Sequence, residues 1–166
     1  MKSETCCFTG HRQIPLENQA EIIRRLEHAI TDLYHKGINR FEAGGALGFD
    51  TLAARTVLRL RKEYPNIKLI LVLPCLTQTR GWTPGDIAEY EQIREQADEV
   101  IYTSQEYIRG CMHKRNRRLV DDSSICICCL TKSSGGTAYT VNYARKKGLK
   151  ITNIAPSTHF SGTLQK

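Results

Sequence analysis

No apolar run in the chain approaches the roughly 18 residues of a membrane-spanning helix. The N-terminus, MKSETCCFTG, also lacks the long apolar segment of a signal peptide. Hydrophobic residues make up 40% of the 166 positions and charged residues 25%, a composition that excludes disorder for most of the length. We therefore expect a cytoplasmic protein that makes no membrane contact, with one domain over residues 1–155 and a flexible tail at 156–166.

A disulfide framework and a metal-binding motif are also missing. The seven cysteines contain no CxxC pair and no regular spacing, and neither His113 nor His159 has a ligand-like spacing to them. The run ICICC at 125–129 lies in an apolar segment of strand length, where successive thiols alternate between the two faces of a sheet. We expect buried structural thiols and no metal site, and the sequence identifies no cofactor.

Acidic residues are fewer than basic residues. The chain has 24 Lys and Arg against 17 Asp and Glu, which gives a formal net charge of +7. This charge permits an anionic partner, either a nucleotide or a nucleic acid. A mildly basic surface with no such partner has the same composition, so the charge alone does not choose between them.

The chain does contain a regular alternation of strand-length apolar runs and helical patterns. Strands are predicted at 5–10, 40–43, 67–74, 99–103, 124–131 and 149–154, and helices at 16–36, 49–62, 84–97, 110–122 and 137–147. Such an order favours parallel strands joined by right-handed crossovers. The predicted fold is a three-layer, doubly wound α/β domain of the Rossmann-like kind, with a mostly parallel sheet of about six strands. A closed eight-fold barrel would need a longer chain.

In open sheets of this kind, ligands bind beyond the carboxyl ends of the strands. Two loops at that edge are glycine-rich, GGALGFD (44–50) and KSSGGT (132–137), and a predicted helix follows each. Glycine lets backbone amides approach a ligand, and a helix N-terminus favours an anion such as phosphate. We expect Gly45→Val to put a side chain where the ligand lies. The alternative for each loop is that glycine serves the turn geometry alone.

Other residues near the same edge extend the candidate site. His11 and Arg12 form a possible anion clamp after the first strand. Asp50 could accept a ribose hydroxyl, bind a cation or only complement its helix dipole. Trp82 could stack on a base or anchor its loop. The full predicted set is Thr9, Gly10, His11, Arg12, Gly44, Gly45, Gly48, Asp50, Arg80, Trp82, Arg115, Asn116, Gly135, Gly136 and Thr137.

The basic segment CMHKRNRRLVDDS (111–123) supplies two members of that set, Arg115 and Asn116. Its predicted helix begins after a strand end, so its first turns border the cleft, although a solvated basic face would look the same. If Arg115 contacts the ligand, Arg115→Ala should weaken binding and leave the melting temperature nearly unchanged.

Five segments in order resemble the YpsA-like family of the SLOG superfamily, which is related to DprA (Smf) and the LOG proteins. They are CCFTGHR, GGALGFDTLAA, IKLILVLPC, HKRNRRLVDDSS and SGGTAYTVNYA, within residues 4 to 155. The resemblance implies a Rossmann-like fold, a nucleotide-derived ligand and a largely unknown cellular role. It also implies that Gly44, Gly45, Gly48, Asp50 and the segment 135–137 surround that ligand.

One departure bears on catalysis. LOG-type phosphoribohydrolases carry a PGGxGTxxE motif, whereas the matching segment SSGGTAYTVNYA lacks the proline and the glutamate. The nearest other acids, Glu42, Asp121 and Asp122, do not match the motif. The leading hypothesis is therefore a nucleotide-binding sensor or regulatory protein with no catalytic residues. A nucleotide N-glycosidic hydrolase and a single-stranded nucleic-acid binder are the alternatives, and fold analogy suggests a homodimer.

Overall fold

The computed structural model describes residues 1–156, and its centre is a six-stranded sheet in which every pairing is parallel. The strands are β1 Thr5–Gly10, β2 Arg40–Ala43, β3 Lys68–Leu73, β4 Glu99–Tyr102, β5 Ile125–Cys129 and β6 Lys150–Asn153. Their spatial order is β4-β3-β2-β1-β5-β6. The predicted doubly wound α/β fold is confirmed. The predicted tail lies outside the described residues, except for Pro156.

Five α-helices cover the two faces of the sheet. They are α1 Leu16–His35, α2 Phe49–Glu63, α3 Pro84–Gln96, α4 Cys111–Asp121 and α5 Gly136–Lys146, and a short 3-10 helix at Lys2–Glu4 precedes β1. Buried residues of α1, α2 and α3 pack into one core layer, and those of α4 and α5 pack into the other. No helix within residues 1–156 combines the length and the apolar character needed to cross a bilayer.

The inner strands β3 and β5 are apolar on both faces because both faces are covered. In β3 every residue after Lys68 is buried. All seven cysteines are buried with free thiols. Within β5, Cys126 and Cys128 pack with α4 and α5, whereas Cys129 packs in the opposite layer. The predicted alternation of the ICICC thiols is confirmed.

The strand order places one crevice at the centre of the sheet. The chain runs outward from β1 to β4 on one side, then returns to add β5 and β6 on the other side of β1. The order therefore reverses between β1 and β5. Parallel α/β sheets bind their ligands at such a switch point, beyond the carboxyl ends of the strands. The loops after β1 and β5 meet at this point.

Candidate functional site

A cleft of about 340 Å³ lies at the switch point between β1 and β5. Ten of the fifteen predicted residues line it, namely Thr9, Gly10, His11, Arg12, Asp50, Arg115, Asn116, Gly135, Gly136 and Thr137. Gly48 lines a larger cavity next to it, and Gly45 and Trp82 line a small void beneath it. Gly44 borders Arg115 and Asp50, and Arg80 is exposed away from the cleft.

The loop before α5 presents an open helix N-terminus to this cleft. Gly135 caps the helix with φ of 100°, and its carbonyl accepts the first helical bond from the amide of Tyr139. The three amides that precede Tyr139, those of Gly136, Thr137 and Ala138, donate to no partner among residues 1–156. A Cβ added at Gly135 or Gly136 would meet nothing within 4 Å. Free amides at a helix start are suited to hold an anion.

The first glycine loop, which precedes α2, is closed by protein atoms. The amide of Phe49 donates to the carbonyl of His11 at 3.0 Å, and the amide of Ala46 donates to a carboxylate oxygen of Asp50 at 3.2 Å. A Cβ at Gly48 would collide with the carbonyls of His11 and Arg12. The glycine at position 48 therefore allows the chain after β1 to approach the start of α2.

Gly45 also faces the protein interior. A Cβ there would lie 2.5 Å from Leu73 and 3.3 Å from the Gln78 side chain. The expectation that Gly45→Val would fill the ligand's position is wrong, because the new side chain would point into the core. The two loops, which are both glycine-rich, thus differ in what surrounds them.

Asp50 and Arg115 are buried neighbours behind the first loop. Burial raises the pKa of Asp50, and the positive charge of Arg115 opposes that rise. Arg115 is only 4% exposed, and its guanidinium donates to the carbonyls of Gly44 and Val72 and to the side chain of Asn116. Burial lowers the pKa of Arg115. The arginine lines the cleft while it holds the backbone of β3 and the first loop together.

The expected behaviour of Arg115→Ala is corrected accordingly. Alanine would leave the carbonyls of Gly44 and Val72 without their buried donor and Asp50 without its neighbouring charge. Unsatisfied buried groups of this kind destabilise a fold. We therefore expect the substitution to lower the melting temperature, so it does not isolate a contact to the ligand.

The rim of the cleft carries two exposed cations that form no ion pair among residues 1–156. Arg12 and Lys132 are exposed and line both the cleft and the larger cavity beside it. His11 stands between them, and its Nε2 accepts a hydrogen bond of 3.0 Å from the amide of Thr131. This bond links the loops after β1 and β5. Lys132 was missed in the sequence, although it lies three residues before the Gly135–Gly136 pair.

Trp82 packs against a tyrosine of α3 in the structure. Its ring meets that of Tyr90 edge to face, with 5.5 Å between centroids. Nearby, Gln78 is buried and donates to the carbonyl of Gly44 at 3.2 Å. Of the two roles proposed for the tryptophan, these contacts favour the anchor.

In the described part of the chain, no cluster of three or more His, Cys, Asp or Glu side chains could hold a metal ion.

Glu42 is a buried carboxyl outside the cleft. It is 2% exposed on β2, and one of its oxygens has no hydrogen-bond partner among residues 1–156. Burial, and next the Asp122 carboxylate, raise the pKa of Glu42 to about 9. The group is therefore neutral at pH 7 in the folded protein and ionised in the unfolded chain, where its pKa is near the ordinary value of 4.5.

We expect Glu42→Gln to stabilise the protein at neutral pH. A raised acid pKa makes stability fall as the pH rises from about 4.5 towards 9, because the folded state keeps a proton that the unfolded chain releases. At pH 7 this penalty is on the order of 3 kcal/mol, and glutamine removes it. Urea unfolding at pH 4.5 and pH 7 would measure the difference. Glu106→Gln, at an exposed position, is the control and should leave the pH dependence unchanged.

Comparisons with known proteins agree with this architecture. The model of the YspA SLOG family (YpsA) matches residues 6–157. The uncharacterised SPbeta prophage-derived protein YoqJ of Bacillus subtilis (strain 168) is 30% identical over 135 residues, covering 73% of this chain and 79% of that protein. A UPF0398 protein of Bacillus thuringiensis (strain Al Hakam) is 30% identical over 130 residues, covering 76% of this chain and 71% of its own.

Two solved structures share the fold. DNA processing protein A from Helicobacter pylori, described in a study of its single-stranded DNA binding mode, superposes with a TM-score of 0.63 at 17% identity, covering 99% of this chain and 73% of that one. The structural-genomics target TM1055 superposes with a TM-score of 0.55 at 15% identity, covering 89% of this chain and 72% of that one. At these identities the likeness concerns the fold alone.

Proposed function

The chain belongs to the YspA SLOG family, and from this premise we propose that it binds a nucleotide or nucleotide derivative, with a phosphate at the N-terminus of α5. The observation that carries the proposal is a group of three amides at the start of α5, those of Gly136, Thr137 and Ala138, which donate to no acceptor among residues 1–156 and stand beside a cleft that Gly136 and Thr137 line. The helix dipole adds a partial positive charge at the same place.

Charge at the rim supports a phosphate ligand. Arg12 and Lys132 are exposed at the cleft, and no ion pair in the described chain uses either of them. Both can therefore turn towards a bound anion and add charge-assisted hydrogen bonds. Asp50 is the carboxyl that lines the cleft among residues 1–156, and the amide of Ala46 and the charges of Arg115 and Arg12 act on it. This arrangement supports binding, with a sensor or regulatory role, over hydrolysis.

Calorimetry with ADP tests the proposal. We expect ADP to bind, and Arg12→Ala to weaken binding by roughly 10- to 150-fold, which corresponds to a charge-assisted hydrogen bond of about 1.5–3 kcal/mol. Arg80→Ala is the matched control, because it removes the same charge from an exposed position off the cleft. Equal losses in the two variants would show that only the overall charge matters. No heat with the wild-type protein would refute the proposal.

A second candidate is the binding of single-stranded nucleic acid, and an aromatic pair between α4 and α5 favours it. The rings of His113 on α4 and Tyr139 on α5 lie 4.1 Å apart, and Arg117 donates to the tyrosine hydroxyl at 3.0 Å. His113 is exposed and Tyr139 is half-buried, and aromatic rings next to cations are the elements on which unpaired bases stack. The fold neighbour from Helicobacter pylori is itself described as binding single-stranded DNA.

Fluorescence anisotropy with a labelled oligothymidylate tests this candidate. If it is correct, affinity falls steeply between 50 mM and 200 mM salt because phosphate contacts release counterions. Tyr139→Ala should then cost on the order of 1–3 kcal/mol, the stacking energy of about one base. Affinity that is independent of salt, or unchanged in Tyr139→Ala, would remove nucleic acid from the account.

A further inference from the structure

We propose that the ligand has two parts: a nucleoside diphosphate, and an uncharged or cationic group attached to it that enters the larger cavity beside the cleft. This inference rests on the proposed function and extends it from a phosphate site to a class of ligand, the nucleoside diphosphate esters such as dinucleotides and nucleotide sugars.

The larger cavity is the first observation. It measures about 800 Å³ and lies on the opposite side of the β1–β5 switch point, among the first turns of α1, α2 and α3. Its wall includes Gln13, Gln19, Gly48, Thr51 and Leu52. Ligand sites commonly measure about 300–1,000 Å³. The cleft at α5 measures about 340 Å³, at the low end of that range. A ligand made of two linked groups therefore needs the volume of both the cleft and the larger cavity.

The second observation is that the two spaces share a rim. His11, Arg12 and Lys132 line both the cleft and the larger cavity. His11 is fixed there by the hydrogen bond from the amide of Thr131, whereas Arg12 and Lys132 extend into solvent. A ligand that spans both spaces crosses this rim beneath two cations. The rim is the place where the negative charge of a diphosphate is best balanced.

The third observation is the charge of the larger cavity away from the rim. Asp86 and Glu89 line it, and among residues 1–156 the one Lys or Arg on its wall besides Arg12 and Lys132 is Arg55, which is paired with Glu89. Carboxylates repel further phosphates and accept hydrogen bonds from hydroxyl or amino groups. The second part of the ligand is therefore a group such as a ribose, and a longer phosphate chain does not fit this charge.

Calorimetry with three probes, ADP, ADP-ribose and ATP, tests the inference. ADP-ribose carries the second ribose beyond its diphosphate, and ATP carries a third phosphate instead. We expect ADP-ribose to bind at least about tenfold more tightly than ADP, and ATP to bind no more tightly than ADP. Gln19→Trp, which fills the larger cavity and does not border the cleft, should abolish the gain for ADP-ribose and leave ADP affinity within about twofold.

The outcomes separate this inference from the proposed function. If no probe binds, both fail. If ADP binds and ADP-ribose binds no more tightly, the phosphate site stands and the two-part ligand is wrong. The same conclusion follows if ATP gains as much as ADP-ribose, or if Gln19→Trp leaves the ADP-ribose gain intact. Ser134→Trp, on the wall of the cleft alone, should weaken ADP and ADP-ribose together.

Discussion

Gly48→Ala is expected to lower the free energy of unfolding by more than about 3 kcal/mol, as a combined effect of backbone strain and steric overlap. Gly48 has φ of 78° and ψ of −119°, a conformation that residues with a Cβ rarely adopt. The added methyl group would also collide with the carbonyls of His11 and Arg12, which are backbone atoms and cannot rotate away. The hydrogen bond from the amide of Phe49 holds the carbonyl of His11 in place.

Gly37→Ala is the matched control for this effect. Gly37 also has a positive φ, 97°, but a Cβ there would meet nothing within 4 Å. Alanine at position 37 should therefore cost only the strain of the left-handed region, about 1–2 kcal/mol. Urea unfolding of both variants at one pH would measure the difference. Equal losses at positions 37 and 48 would mean that the contact between the first glycine loop and the loop after β1 contributes little.

Gly136→Val is expected to have the opposite pattern, a loss of ADP affinity of more than about tenfold with a nearly unchanged melting temperature. Gly136 has no positive φ, and a Cβ there would meet no atom within 4 Å. The backbone therefore tolerates the side chain, which would extend into the cleft where the phosphate should lie. Isothermal calorimetry with ADP and thermal unfolding measure the two quantities.

Gly85→Val is the control for Gly136→Val. Gly85 lies in the first turn of α3, and a Cβ there also meets nothing within 4 Å, but it does not line the cleft. Valine at position 85 should leave ADP binding and stability close to wild type. If Gly136→Val binds ADP normally, the N-terminus of α5 is not the phosphate site. If it unfolds the protein, Gly136 is required for the turn.

The order of strands and helices could be predicted because it depends on local patterns. The apolar run of β3 and the helical period of α1 are visible in the sequence alone, and their observed limits differ from the predicted ones by one residue at most. The placement of the loops that follow the strands at one edge of the sheet followed from the general rule for parallel sheets. These features need no knowledge of which side chains touch across the fold.

The roles of individual residues could not be predicted, because they depend on contacts between distant segments. Gly48 precedes α2 and Gly136 opens α5, and both lie in glycine-rich segments. A Cβ at Gly48 would meet the carbonyl of Arg12, whereas a Cβ at Gly136 would face an open cleft. Arg115 is a charged residue of a type usually found at the surface. It lies 71 positions from Gly44, yet its guanidinium donates to the Gly44 carbonyl. Only the three-dimensional arrangement separates a structural arginine from an exposed one such as Arg12.

The central claim is that the open amides of α5, and not those of the first glycine loop, receive the phosphate. A titration of ¹⁵N-labelled protein with ADP, followed by amide chemical shifts, tests it most directly at a mass of 18.8 kDa. The account predicts that the largest shifts occur at Gly136, Thr137 and Ala138, while the amides of Ala46 and Phe49 keep their protein partners and change little. Largest shifts at Ala46 and Phe49, with the amides of α5 unmoved, would contradict it.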